Sequence, residues 1–186
     1  MKYVSIDIET TGLDWETCQV IEIGAVIDDW VTPIPNLPTF RCYIDHGIFH
    51  GQPYALSMHA KIFRAIATKD TNVDIITERY VAQQFYTWLE LQGLNPRLDK
   101  IVVAGKNFAA FDRNFLDCLP DWELKIRMKH RFIDPGSMYY RPGIDDEPPN
   151  MEECLRRAGL PTNVSHKALD DAFDVVKLIR WKRDNG

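Results

Sequence analysis

The feature that most constrains this chain is the run Tyr3-Val4-Ser5-Ile6-Asp7-Ile8-Glu9, which ends in Thr10-Thr11-Gly12-Leu13. A short apolar run of this kind, closed by a turn, reads as a β-strand over residues 2–9. Residues two apart on a strand share a face, so the Asp7 and Glu9 carboxylates point the same way. Two like charges on a largely buried strand are costly without a compensating cation. A divalent metal that takes oxygen ligands, Mg²⁺ or Mn²⁺, is the natural partner. A solvated acidic turn is the competing reading, and the rest of the chain has to decide between them.

The elements that follow set the fold class. Gln19–Ile27 and Thr39–Ile44 also read as strands, and the short connection Thr10–Cys18 implies antiparallel pairing of the first two. Val31–Pro38 carries three prolines and reads as a loop. Ala55–Ala67 and Ile75–Gln92 show helical spacing, the second through Val81, Phe85, Trp88 and Leu89. Ile101–Gly105 is a short, fully apolar strand of the buried parallel type, and Arg131–Asp134 reads as another strand. Helices are expected at Ala110–Leu119, at Glu152–Ala158 with a stop at Gly159, and at His166–Arg183. Strands in a meander followed by alternating strands and helices indicate an α/β protein with a mixed sheet, with Asp7 at the strand edge where α/β sites form. At 186 residues the chain is expected to be one domain over 1–186.

Composition narrows the function classes. A net charge of −5 argues against coating nucleic acid by bulk electrostatics, though not against acting on a nucleic-acid end. No apolar stretch approaches the ~20 residues of a membrane span, and no leader of basic then apolar residues opens the chain. Cys18, Cys42, Cys118 and Cys154 are scattered, which suits reduced thiols and a cytoplasmic location. The basic run Lys125–Arg131 reads as a solvated helix end rather than a phosphate track. His46 and His50 near Asp45 lack the further ligands a zinc site needs.

Further acids fall at telling positions. Asp112 lies in the first turn of the helix after Asn107–Phe111, where an acid serves either the helix dipole or a metal. In the last helix Ala168, Ala172, Val175, Val176 and Ile179 form the apolar stripe, and Asp171 falls inside it. Asp170 falls on another face and reads as a solvated or helix-capping residue. An inward acid needs a partner. His166, five residues before Asp171, is either a capping residue or a general base, its ordinary pKa of ~6.5 suiting proton abstraction near neutrality. Four carboxylates from three segments plus one histidine suggest phosphodiester hydrolysis with two metal ions.

These motifs, in this order, resemble the DEDDh branch of the DnaQ-like 3′–5′ exonucleases, which have an RNase H-like fold. Asp7-Ile8-Glu9-Thr10-Thr11-Gly12-Leu13 with Val20–Val26 is similar to the first motif and second strand. Asn107–Asp112 is similar to the second motif, and His166–Ala172 to the third. The resemblance spans Val4 to Val176. It implies an RNase H-like mixed five-stranded sheet, its first three strands an antiparallel meander, flanked by helices. It implies that Asp7 bridges two metal ions, Glu9 and Asp171 complete one site, Asp112 supports the other, and His166 is the general base. A histidine there, where a sister branch has tyrosine, sets the subclass. Thr10, Thr11, Leu13, His59, Phe63 and Asn107 are the implied substrate contacts, although helical spacing alone assigns Phe63 to the core. Lys106 stands where many relatives carry histidine, a departure from the pattern. The implied activity is metal-dependent release of nucleoside 5′-monophosphates from the 3′ end of single-stranded DNA or RNA. The alternative, a catalytically silent nucleic-acid-binding or polymerase-associated module, would lack at least one of the five residues. The motifs set neither DNA versus RNA preference nor a polymerase or homodimer partner.

Overall fold

The computed structural model describes residues 1–162 and 167–186. Its five strands are β1 (Tyr3–Thr10), β2 (Val20–Asp28), β3 (Thr39–Asp45), β4 (Asp74–Thr77) and β5 (Val103–Ala104). They form one sheet in the order β4-β3-β2-β1-β5. β1 pairs antiparallel with β2 and β2 with β3, so the expected meander is present. β5 runs parallel to β1, and β4 parallel to β3. The helices are α1 (Pro53–Met58), α2 (Ala60–Thr68), α3 (Glu78–Leu91), α4 (Asp112–Asp117), α5 (Trp122–Lys125), α6 (Pro135–Tyr139), α7 (Met151–Ala158) and α8 (Ala168–Asn185). This is an RNase H-like α/β arrangement.

Each face of the sheet is covered because each face is apolar. Val4, Ile6 and Ile8 of β1 meet Ile23, Ala25 and Ile27 of β2 on one face, under Val81, Phe85 and Leu89 of α3. On the other face Tyr3 and Val26 pack against Ala172, Val175, Val176 and Ile179 of α8. Ser5, Asp7 and Glu9 of β1 fall by parity on the α8 face. Ser5 donates its hydroxyl to the Ala172 carbonyl at 2.9 Å. Farther along, Asp28 of β2 is fully buried; it accepts from the Tyr3 hydroxyl at 2.7 Å and from Arg180 of α8 at 2.5 and 3.0 Å. A buried carboxylate held by a two-pronged guanidinium and a hydroxyl has its charge well matched.

Four expectations need correcting. The strand read at Arg131–Asp134 contributes a single parallel bridge, Ala104 to Ile133, and the fifth strand is β4 instead. Residues 75–92, read as one helix, divide into β4 and α3. The helix read at Ala55–Ala67 is two helices broken at His59, whose backbone (φ −95°, ψ 21°) leaves the helical path. The run Lys125–Arg131 is one helical residue and then a loop, tied to the sheet by the bridge Ile101 to Met128. No helix among the described residues is long and apolar enough to cross a membrane.

Candidate active site

β1 carries Asp7 and Glu9 to the sheet edge, and α8 crosses above them. Gly24 of β2 is the register partner of Asp7. A Cβ on Gly24 would lie 2.1–2.5 Å from the backbone of Ala168 and Leu169, so α8 begins in direct contact with the sheet. Three residues into α8, Asp171 turns inward, 7% exposed, while Asp170 faces solvent beside Lys167 at 3.4 Å. The helical stripe predicted this difference between neighbours. Ligand oxygens of Asp7, Glu9 and Asp171 all lie within 4.8 Å of one another.

Asp112 joins from α4. It opens α4 and is 4% exposed; its own backbone N–H and that of Ile8 donate to it. It stands outside the group of three but close enough for its charge to act on Asp7 and Glu9. His166, the fifth predicted residue, lies outside the described residues.

The electrostatics of this arrangement are adverse to an all-ionised state. Burial, then the charges of Asp112, Asp171, Glu9 and Glu22, hold the Asp7 carboxyl well above the usual range. Burial, then Glu22, Asp171 and Asp112, push Glu9 up to about 8. Burial raises Asp112 as well, against the two backbone hydrogen bonds. Such a cluster must take up either protons or a cation. The donors are all carboxylate oxygens, a set that suits hard divalent ions such as Mg²⁺ or Mn²⁺.

A family model described as exonuclease matches residues 4–179, most of the chain. The chain belongs to the exonuclease family. Members of this DnaQ-like 3′–5′ exonuclease family depend on divalent metal, in keeping with the carboxylate group. The chain is 26% identical over 193 residues to the oligoribonuclease of Acinetobacter baylyi, covering 98% of this chain and 93% of that one. It is 25% identical to ribonuclease T of Baumannia cicadellinicola over 98% and 86% of the two chains. Among solved structures, the zinc-bound E. coli Exonuclease I complex with single-stranded DNA superposes with a TM-score of 0.68 at 14% identity. That match covers 99% of this exonuclease but only 41% of Exonuclease I, and it shows a shared fold.

The predicted substrate residues divide by position. His59, freed by the helix break, is buried with Nε2 3.3 Å from Glu9 Oε2. Leu13 projects from the β1–β2 loop, 76% exposed. Thr10 and Thr11 are buried and hold that loop: the Thr10 hydroxyl donates to the Gly12 carbonyl at 2.6 Å, and the Thr11 hydroxyl accepts from the Gln19 N–H at 2.8 Å. Phe63 is half-buried and packs edge-on against Phe49, 5.1 Å between centroids. Asn107 is exposed in a left-handed conformation (φ 58°), its N–H donating to Asp134 at 3.0 Å.

Two residues escaped the sequence reading. Tyr54 is 80% exposed at the start of α1, two residues after Gln52, whose N–H donates to the Thr11 carbonyl at 2.7 Å. An aromatic off the apolar face of an amphipathic segment was the available signal. Glu22, the register partner of Glu9, is 1% exposed beside the acids. Its parity with Glu9 becomes visible only once the hairpin register is known.

The raised carboxyls predict a pH dependence of the metal-free protein. In the unfolded chain these carboxyls titrate near ~4. The folded state binds their protons more tightly, so the stability they contribute is full below ~4 and is lost as pH rises through the folded values. Glu9 alone, at about 8, removes about 3 kcal/mol between pH 6 and 9, which lowers Tm by about 5–10 °C. Excess Mn²⁺, taking the place of the protons, should flatten that slope. Thermal unfolding followed across this range in EDTA and in Mn²⁺ checks it; equal slopes in both would refute the assignment.

Proposed function

We propose that the protein is a DEDDh-type exonuclease that hydrolyses phosphodiester bonds from the 3′ end of single-stranded DNA or RNA, releasing nucleoside 5′-monophosphates. The observation that carries this reading is the convergence of Asp7, Glu9 and Asp171 oxygens within 4.8 Å, with Asp112 adjacent. In this reading Asp7, Glu9 and Asp171 would hold one divalent ion, and Asp7 with Asp112 would hold a second. When bound, such cations supply positive charge that stabilises the attacking and leaving oxygens of the displacement.

The chain's own groups do the rest. His166 would receive the proton of the attacking water, a role for which imidazole is suited near neutrality. His59 holds the Glu9 carboxylate in place across 3.3 Å. The terminal base meets the exposed Leu13 and Tyr54, which offer apolar and aromatic surface for stacking on any base. Thr10 and Thr11 stiffen the loop that presents Leu13, and a strand would meet its peptide groups more readily than their buried hydroxyls. In this reading the exposed Asn107 is a further substrate contact, and Phe63 of α2, half-buried against Phe49, is another.

Likeness to an oligoribonuclease and to ribonuclease T makes RNA a substrate to try, and likeness to the fold of Exonuclease I makes DNA one. Incubating 5′-labelled single-stranded DNA and RNA, a duplex and a dinucleotide with Mg²⁺ or Mn²⁺ should give a ladder of shortened products that EDTA abolishes. No shortening of any of these with either metal would sink the proposal.

A further inference from the structure

Glu22 is a buried acid that the three-carboxylate group leaves out, although it sits directly opposite Glu9 in the hairpin. Its carboxylate has other partners. Arg41 of β3 donates Nε to Glu22 Oε1 at 2.8 Å. The backbone N–H of Ala168, the first residue of α8, also donates to Glu22. Helix-opening N–H groups have no partner inside their own helix, and here the neighbouring strand supplies one. Arg41 is itself fixed, donating Nη2 to the Tyr43 hydroxyl at 2.7 Å. The Ala168 contact recurs two residues along the same strand face, where Gly24 meets Ala168 and Leu169.

We infer that Arg41 and Glu22 form a positioning pair: Arg41 turns Glu22 away from the metal-binding carboxylates and aims it at the first peptide of α8, which sets where Asp171 stands. Asp171 lies less than one helical turn beyond Ala168, so a shift of that first turn moves its carboxylate directly. Without Arg41, Glu22 would be an uncompensated charge beside Glu9, free to swing toward the cation and away from the helix. Arg41 is about one third exposed, on a cavity of about 280 Å³ that Lys61 and Lys167 also line, so shortening it lets in water rather than leaving an empty core void. The inference rests on the carboxylates binding metal as proposed above.

The test is Mn²⁺ affinity read by electron paramagnetic resonance, which needs no turnover, on the full chain and on Arg41→Met, Arg41→Lys, Glu22→Gln and the Arg41→Met/Glu22→Gln double variant. Groups that orient ligands from behind are worth about 10–100-fold in metal affinity, so Arg41→Met and Glu22→Gln should each lose at least about tenfold. The double variant should lose no more than either single one, because the two side chains act as one unit. Arg41→Lys should recover most of the affinity, since a lysine still offsets the Glu22 charge. In cleavage assays the loss should appear as a raised Mn²⁺ requirement with the KM for oligonucleotide unchanged. Unchanged Mn²⁺ affinity in both single variants would overturn the inference. So would a loss that only tracks a fall in Tm, or an Arg41→Lys variant as impaired as Arg41→Met. If the unaltered protein neither binds Mn²⁺ nor cuts any strand, the functional reading itself falls. If it does both while the variants match it, only the positioning pair falls.

Discussion

Asp171→Asn is expected to lower the cleavage rate about a thousandfold, while Asp170→Asn leaves most of it, since a metal ligand carries several kcal/mol of transition-state stabilisation. The two residues are adjacent and equally acidic, so the contrast isolates direction from charge. Asp171 is buried among the carboxylates, and Asp170 stands in solvent beside Lys167. Removing the Asp170 charge disturbs only an exposed ion pair of small worth. Rates measured under identical Mn²⁺ and substrate conditions, with Mn²⁺ affinity alongside, decide it. Equal loss in the two variants would show that the inward face of α8 has been misassigned.

Gly24→Ala should be nearly as damaging without touching any charged group. The new methyl would sit 2.1–2.5 Å from main-chain atoms of Ala168 and Leu169, and a peptide cannot swing aside as a side chain can. The start of α8 has to lift, and overpacking of this kind costs about 1–3 kcal/mol, or about 3–10 °C in Tm. The larger consequence is local. Displacing the first turn carries Asp171 from Asp7 and Glu9, and Mn²⁺ affinity should fall by more than the about tenfold expected of a supporting group. Thermal unfolding and metal titration on the same variant measure both effects. A Gly24→Ala protein with unaltered Tm and affinity would contradict the contact between α8 and β2.

Much of the acid cluster was legible because strand and helix periodicities are local. Parity on β1 put Asp7 and Glu9 together, and the stripe on α8 separated Asp171 from Asp170. Every stripe residue used for that argument, from Ala168 to Ile179, is buried. What sequence could not give depended on pairing between distant segments. β4 is four residues long and runs into α3 without a glycine or proline to mark the join, so its two isoleucines read as part of the helix. It exists because the edge of β3 offers a parallel partner. The break at His59 is likewise unmarked, with Met58 before it and Ala60 after it, both compatible with a helix. Its effect is to bring a buried histidine to Glu9, a contact no periodicity predicts. Arg131–Asp134 had the composition of a strand but found only one bridging partner at the end of β5.

Helix α8 is held to β2 at two carboxylates six residues apart on one strand, Glu22 near its start and Asp28 through Arg180 farther along. A rod clamped at two points can neither slide nor pivot. Alignment of the acids is therefore inherited from a hairpin register, with α7 closing over the outer side of α8 through Cys154, Leu155 and Leu178. Two carboxylates of one strand thus carry the geometry of the sheet into the helix, and the acid cluster is assembled at their near end.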